Sequence, residues 1–304
     1  MDWLTRMNAA LEYIEANLAG EIDSEIVAKK ACCSSSNFQR IFSYITDLSL
    51  ADYIRKRRLT QAAVELQSSD VKVIDLALKY GYESPVSFSR AFAAMHGVTP
   101  TAARAEGVTL KAFPRISFQI TIKGETEMDY RIETKEAFQV FGIEEVFRSD
   151  GMFRFDGTGE PPKTPHELWD QCQSDGEYDR LVKNAGEVPE FVGKNRCRVH
   201  GICDYRKTPA DTFPYMLCAF RGKDSDMSGY TVADIPAYTW AIFPSKLFDW
   251  NDVGSVINTL YKNFFSGWLA TAEYEQADGL NLEVYGGDEK KGTVELWFAV
   301  RKKV

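Results

Sequence analysis

A five-residue pattern, Phe-x-Arg-x-Phe, occurs twice in this sequence, as FQRIF at residues 38–42 and as FSRAF at residues 88–92. Residues four apart share one face of a helix, so each pattern predicts a pair of phenylalanines pointing the same way. The arginine between them, Arg40 or Arg90, then points to the other side. A single arginine of this kind is commonly just a solvated residue, but two matched copies favour a duplicated unit.

A turn and a helix start precede each copy. Serines at 34–36 precede the first, and Ser84 followed by Pro85 precedes the second. Serine is a preferred N-cap and proline suits the first helical position. An earlier short helix ends at Gly81 in the second copy and at the Cys-Cys-Ser corner beginning at Cys32 in the first. The order helix, tight turn, second helix predicts two tandem helix-turn-helix units.

A longer helix, predicted from about Leu50 to Leu66, joins the two units. At 1.5 Å per residue it spans about 25 Å, which is comparable with the roughly 34 Å between successive major-groove faces of DNA. Its basic run contains Arg55, Arg57 and Arg58. We expect these side chains to contact DNA phosphates.

Composition limits the remaining possibilities. The 304 residues are enough for two domains. The net charge is −8, and residues 1–110 contain 12 basic and 13 acidic residues, so most of the acidic excess lies later in the chain. The apolar runs are shorter than a membrane span, and the charged N-terminus does not resemble an export signal, so we expect a cytoplasmic protein with no membrane partner. The spacing of six cysteines and three histidines predicts no metal site, and we expect no cofactor.

The pattern changes after the helical region. We place the first domain at residues 1–107, a linker at 108–126 with a strand in ISFQITI (116–122), and a second domain at 127–304. The second domain is interpreted as two successive strand-helix-strand-strand repeats, with Thr164 as a helix N-cap. The expected fold class is therefore multidomain, an all-α tandem helix-turn-helix domain followed by an α+β domain.

The second domain contains none of the common hydrolase or phosphate-loop patterns, so we expect no enzyme and no catalytic residues. It is rich in aromatic residues, and Glu283 lies among them in LNLEVY, where Asn281, Glu283 and Tyr285 share one strand face. Two interpretations stay open: a glutamate on a wet strand, or a carboxylate in an aromatic pocket that favours a lipophilic cation. The aromatic residues expected to bind such a ligand are Tyr285, Tyr215, Trp240, Trp169 and Trp268.

Residues 8–105 resemble the tandem DNA-binding domain of the AraC/XylS transcription regulators. The matching segments are SSSNFQRIF, IRKRRLTQAAVEL and VIDLALKYGYESPVSFSRAFAAMHGVTPTAAR. The resemblance implies promoter DNA and RNA polymerase as partners, and activation more than repression. It also implies base-reading residues near the start of each recognition helix, namely Ser35, Ser36, Gln39 and Arg40 in the first and Pro85, Val86, Ser89 and Arg90 in the second.

Residues 127–304 resemble a GyrI-like effector-binding domain, through MDYRIETKEAFQVFGIEE, IPAYTWAIF and the strand that contains LEVY. In that family the matching glutamate commonly lines the ligand cavity, which implies this position for Glu283. The two resemblances together imply a one-component transcription regulator that senses a small, hydrophobic, cationic molecule. Two alternatives stay open for the second domain, because some relatives are hydrolases and others bind proteins.

Overall fold

The computed structural model describes residues 2–119, 128–149, 163–209 and 211–303. These residues fall into two compact units, the first containing 2–119 with Ser149 and the second containing the rest. Across the described ranges, no helix combines the length and apolar character that crossing a membrane requires.

The first unit is helical. Its helices are α1 (Trp3–Ala16), α2 (Ser24–Ala31), α3 (Ser35–Thr46), α4 (Leu50–Ser68), α5 (Val73–Lys79) and α6 (Pro85–His96), followed by a 3-10 turn at Ala102–Arg104. The predicted caps are confirmed, because the hydroxyl oxygens of Ser34 and Ser84 accept the N–H groups of Asn37 and Ser87, each at 3.1 Å. All four phenylalanines of the repeated pattern are fully buried. The pairs α2–α3 and α5–α6 are therefore two helix-turn-helix units, joined by α4.

The segment after the 3-10 turn differs from the predicted linker strand. Residues 108–119 contain no strand. They pack on α1 and α4, where the Phe113 N–H donates to Thr60 Oγ1 at 2.9 Å and the Asn8 side chain exchanges two hydrogen bonds with the backbone of Phe118. The alternating pattern there reflects burial of Phe118 against the helices. The rest of the predicted linker, 120–126, lies outside the described residues.

The second unit is built on one antiparallel sheet. Its strands are β1 (Arg131–Lys135), β2 (Phe138–Arg148), β3 (His200–Cys203), β4 (Thr212–Phe220), β5 (Thr231–Ile235), β6 (Tyr238–Pro244), β7 (Phe248–Asp249), β8 (Tyr274–Gly287) and β9 (Lys291–Lys302). The strand order is β1-β6-β9-β8-β3-β4-β2-β5, and β7 pairs with β9. The long hairpin of β8 and β9 thus lies inside the sheet.

The helices of the second unit are α7 (Pro165–Ser174), α8 (Glu177–Asn184) and α9 (Val253–Lys262), and α9 continues into a π-helical turn at Asn263–Trp268. Thr164 caps α7 as predicted and forms a capping box with Glu167. Gly176, with φ of +84°, separates α7 from α8. The predicted repeat also differs, since two strands precede the helices in the first half and three, including the two-residue β7, precede α9 in the second half.

Strand register places alternate residues on two faces of the sheet. One row across β6, β9, β8, β3 and β4 consists of Phe243, Leu296, Glu283, Gly201 and Leu217. This face packs against the helices: Leu217 clusters with Leu168 of α7, and the neighbouring Phe298 stacks on Phe264. We call it the helix-covered face. The next row, on the second face, consists of Ile242, Trp297, Leu282, Ile202 and Met216.

Candidate functional site

Of the two recognition helices, α6 has the residues at its start more exposed to solvent. Val86 is 68% exposed. Arg90 is exposed, and Pro85 and Ser89 are half-buried. An apolar side chain suits contact with a thymine methyl group, and a guanidinium can donate to the edge of guanine. The predicted base-reading residues of the second helix-turn-helix unit therefore share one accessible surface.

The start of α3 is more enclosed. Three of its predicted base-reading residues are buried, namely Ser35, Ser36 and Gln39. Gln39 Nε2 donates to Ser149 Oγ at 3.2 Å. Arg40, which we expected to point outward, is half-buried, and its Nη2 donates to Asn37 Oδ1 at 3.4 Å. The two recognition helices thus match in sequence pattern and differ in exposure.

Arg57, a predicted phosphate contact, is buried inside the helical unit. It forms an ion pair with Glu15 of α1 at 2.8 Å and donates to the carbonyl of Phe113 at 2.6 Å. The hydrogen bond to Glu15 raises the pKa of Arg57 in spite of its burial. These contacts tie α4 to α1 and to the segment 108–119, so we assign Arg57 a structural role.

Arg58 is buried as well. Its Nε donates to the carbonyl of Leu18 at 3.0 Å and its Nη2 to that of Gly20 at 2.8 Å. A Cβ at Gly81 would lie 2.6 Å from Arg58 Nη1, so the guanidinium lies directly against the turn between α5 and α6, in the second helix-turn-helix unit. Burial lowers the pKa of Arg58. Arg58 therefore holds the two helix-turn-helix units together, and of the three predicted arginines Arg55, which is half-buried, stays a candidate for phosphate contact.

Glu283 forms a hydrogen-bonded aromatic cluster on the helix-covered face. Glu283 is 9% exposed. The hydroxyls of Tyr215 on β4 and Tyr285 on β8 donate to Glu283 Oε2 at 2.9 and 2.8 Å. Trp169 of α7 donates its indole N–H to the Tyr215 hydroxyl at 2.8 Å, and its ring lies edge-on to Tyr285 with centroids 5.4 Å apart. Four of the six predicted ligand residues are therefore in one place.

Glu283 is the acidic residue of this cluster. Burial, followed by the charge of Glu283, raises the pKa of Tyr215 well above its usual value. Burial and the same carboxylate also raise the pKa of Cys218. Tyr215 therefore stays protonated and donates to the carboxylate as a neutral group.

Residues that sequence reasoning missed complete the surroundings. Tyr261 of α9 donates to Asn281 Oδ1 at 2.7 Å, next to Glu283 on β8. His200 Nδ1 accepts the backbone N–H of Tyr285 at 3.1 Å. Burial, with the charge of Arg196, lowers the pKa of His200 to about 3, so this imidazole is neutral at physiological pH. These contacts depend on which strands pair, and no local pattern in the sequence signals them.

Two predicted ligand residues lie elsewhere. Trp240 is on the second face, with its ring centroid 6.0 Å from that of Trp297. Trp268 shares the helix-covered face but packs on Phe243, which is two strands from Glu283 in the same row. We therefore leave both out of the site. Within the described ranges, no cluster of histidine, cysteine and acidic residues is arranged to hold a metal ion.

The fold defines a class of two-domain protein, with two helix-turn-helix units and an α+β domain in one chain. Residues 131–300, more than half of the chain, match the family described as integron-associated effector binding protein, and the chain belongs to this family. Residues 27–106 match a helix-turn-helix domain family. The chain is a transcription regulator with an AraC-type DNA-binding domain and a GyrI-like effector-binding domain.

The chain is similar to several known proteins. The Transposon Tn10 TetD protein of Escherichia coli is 42% identical over 97 residues, covering 32% of this chain and 70% of that protein. The HTH-type transcriptional activator AarP of Providencia stuartii is 38% identical over 91 residues, covering 30% and 67%. Among solved structures, the integron cassette protein VCH_CASS2 of Vibrio cholerae covers 57% of this chain and 95% of its own, at 15% identity and a TM-score of 0.35.

Proposed function

We propose that this protein is a one-component regulator whose helical unit binds promoter DNA and whose sheet unit binds a small lipophilic cation. The observation that supports the effector half is the Glu283 cluster, a buried carboxylate bordered by indole and phenol rings. Aromatic faces attract a cation through their quadrupoles, and the carboxylate attracts it by charge. A bare metal ion prefers several oxygen ligands, so an organic cation suits this cluster better.

We also propose that the effector is bound and not turned over. AarP, one of the relatives, is named as a transcriptional activator. By the same resemblance we propose activation as the outcome, RNA polymerase as a further partner and the cytoplasm as the location. For DNA, the proposed contact residues are those of α6, with α3 and Arg55 as the second group.

Two ions of the same shape and opposite charge test the effector half. We expect calorimetry to show that tetraphenylphosphonium binds and that tetraphenylborate binds far more weakly. Glu283→Gln should weaken the cation by about 10- to 100-fold, roughly 1.4–2.8 kcal/mol. The reason is that a charge pair at 4 Å is worth up to about 4 kcal/mol at an effective dielectric near 20, before desolvation is counted.

The control is Glu273→Gln, an exposed glutamate in the same unit, which should leave both affinities unchanged. Equal losses for cation and anion in Glu283→Gln would contradict the proposal. Mass spectrometry of a cationic aromatic ester, recovered after incubation with the protein, separates binding from hydrolysis, since hydrolysis would return the acid and the alcohol.

A DNA site selected from a random duplex library tests the other half. Arg90→Ala should weaken binding to that site by about 1–3 kcal/mol if the guanidinium reads a guanine, with a smaller change on non-specific DNA. Arg115→Ala, an exposed arginine of the same unit outside α6, is the control. An Arg90→Ala footprint identical to that of the wild type would sink the assignment of α6.

A further inference from the structure

Gly201 of β3 lies directly beneath the Glu283 cluster. It is paired with Glu283 on one side and with Leu217 on the other. A Cβ added at Gly201 would lie 2.6 Å from Glu283 Oε2 and closer still to the Tyr215 hydroxyl oxygen, whereas real Cβ atoms essentially never approach within 3.0 Å. Gly201 is not among the residues with a left-handed backbone. Space, and not backbone conformation, is therefore what this position requires.

We propose that Gly201 is a positioning residue for the effector site. Its missing side chain lets the Tyr215 hydroxyl and the Glu283 carboxylate meet over β3. This inference rests on the proposed function of Glu283 as the cation-binding carboxylate. The adjacent residue of β3, His200, also positions the cluster. Its Nδ1 accepts the backbone N–H of Tyr285, whose hydroxyl is the second donor to Glu283. Two neighbouring residues of β3 therefore position the two tyrosines of the cluster, Gly201 for Tyr215 and His200 for Tyr285.

An alanine at this position has a specific expected consequence. The three atoms nearest to that Cβ, the Tyr215 hydroxyl oxygen and Cζ and Glu283 Oε2, all lie at the outer ends of side chains, so the sheet can accommodate the methyl group if the Tyr215 ring and the carboxylate move. The Tyr215 hydroxyl accepts from Trp169 and donates to Glu283. When it moves, at least one of these two hydrogen bonds lengthens, and the carboxylate turns away from its present orientation.

The experiment uses the full-length chain with Gly201→Ala, and Gly254→Ala as the control, because a Cβ at Gly254 of α9 would meet nothing within 4 Å. The first readout needs no ligand: the indole N–H resonance of Trp169, assigned with Trp169→Phe. We expect Gly201→Ala to shift this resonance and Gly254→Ala to leave it in place. The second readout is the Kd of tetraphenylphosphonium, which should rise by about tenfold or more in Gly201→Ala, the loss expected when a hydrogen bond to a charged group is broken.

A double variant separates positioning from general damage. In a Tyr215→Phe background the nearest oxygen is absent, so adding Gly201→Ala should change the Kd much less than it does in the wild type. If Gly201→Ala does not fold alone, restored folding in the double variant supports the steric relation, and no restoration contradicts it. An unchanged Trp169 resonance and an unchanged Kd in Gly201→Ala overturn the inference. A wild type that does not bind the probe overturns the cation proposal, while the Trp169 resonance still decides whether Gly201 positions Tyr215.

Discussion

Glu283 on β8 and Glu295 on β9 belong to the same hairpin, face opposite sides of the sheet and are held in different ways. Glu283 accepts hydrogen bonds from two tyrosine hydroxyls. Glu295 accepts from Arg131 at 3.0 and 2.8 Å, pairs with Arg196, and accepts the Trp297 indole N–H at 2.9 Å. Both carboxylates are buried. The hydrogen bonds described at Glu283 come from neutral groups, and most of those at Glu295 come from cations.

The cations around Glu295 set its pKa. Burial by itself would raise the pKa of Glu295, but hydrogen bonds from Arg131 and Trp297 and the charge of Arg196 outweigh it and lower the pKa. The second face also contains an ammonium group, since Lys135 Nζ lies 4.5 Å from the centroid of the Trp297 ring. A carboxylate and rings that already contact protein cations are poorly suited to a cationic ligand.

Aromatic content alone therefore does not identify the effector site. Trp240 and Trp297 give the second face two large buried rings, yet Glu295 on that face stabilises the fold through Arg131 and Arg196. The kind of group that donates to each carboxylate is what distinguishes the two faces. This difference can be tested by substitution on either side of the sheet.

The largest expected effect is on stability, from Glu295→Gln. The amide cannot neutralise Arg131 and Arg196, and the Arg196 side chain is only 12% exposed, so a largely buried charge loses its partner. We expect the free energy of unfolding to fall by about 3 kcal/mol. Glu283→Gln should change it by less than about 1 kcal/mol, because tyrosine hydroxyls can also donate to an amide oxygen.

Urea unfolding followed by tryptophan fluorescence measures both variants, since five of the six tryptophans lie in the sheet unit. Glu273→Gln again serves as an exposed control. Similar losses in Glu283→Gln and Glu295→Gln would show that the two carboxylates contribute equally to the free energy of unfolding. That result would contradict the difference between the two faces.

The second effect depends on pH and concerns His200, which supports Tyr285. The pKa of His200 is about 3 in the folded protein and about 6.5 in an unfolded chain. Between these values the unfolded chain takes up a proton that the folded protein does not. The contribution of His200 to stability is therefore fully present above about pH 6.5 and is lost as the pH falls, by about 2 kcal/mol between pH 7 and pH 5.

The comparison is between wild type and His200→Gln, whose amide oxygen can still accept the N–H of Tyr285 but does not titrate. Urea unfolding at pH 7, 6 and 5 should show the wild type losing about 2 kcal/mol more than the variant. Parallel losses would mean that other groups cause the pH dependence and that His200 is not buried as a neutral base.

The helical unit was largely predictable because its signals are local. Caps at Ser34 and Ser84 and the buried phenylalanine pairs depend on residues within one turn of each other. The roles of Arg57 and Arg58 were not predictable in this way. Whether a basic residue on α4 faces solvent depends on what packs there, and the partners include Glu15, which lies far away in sequence.

In the sheet unit, strand alternation was enough to place Asn281, Glu283 and Tyr285 on one face. The outcome for Trp240 depended on the register of β6 with β9 and of β9 with β8. The position of Gly201 opposite Glu283 likewise depends on how β3 pairs with β8. A one-residue change in register moves every side chain to the other face, so sequence patterns could predict that a site exists but not which rings line it.

The smallest expected effect separates the two faces by affinity. Trp169→Phe removes the N–H that donates to the Tyr215 hydroxyl, so the Kd of tetraphenylphosphonium should rise by about five- to tenfold, close to the worth of one hydrogen bond. Trp240→Phe replaces an equally large ring on the second face. Its indole N–H has no hydrogen-bond partner among the described residues, so the change should lower stability through lost packing and leave the Kd within about twofold of the wild type. Calorimetry at a temperature where both variants are folded decides the matter. If Trp240→Phe weakened the probe as much as Trp169→Phe, the faces would not act independently, and the ligand could no longer be assigned to the helix-covered face.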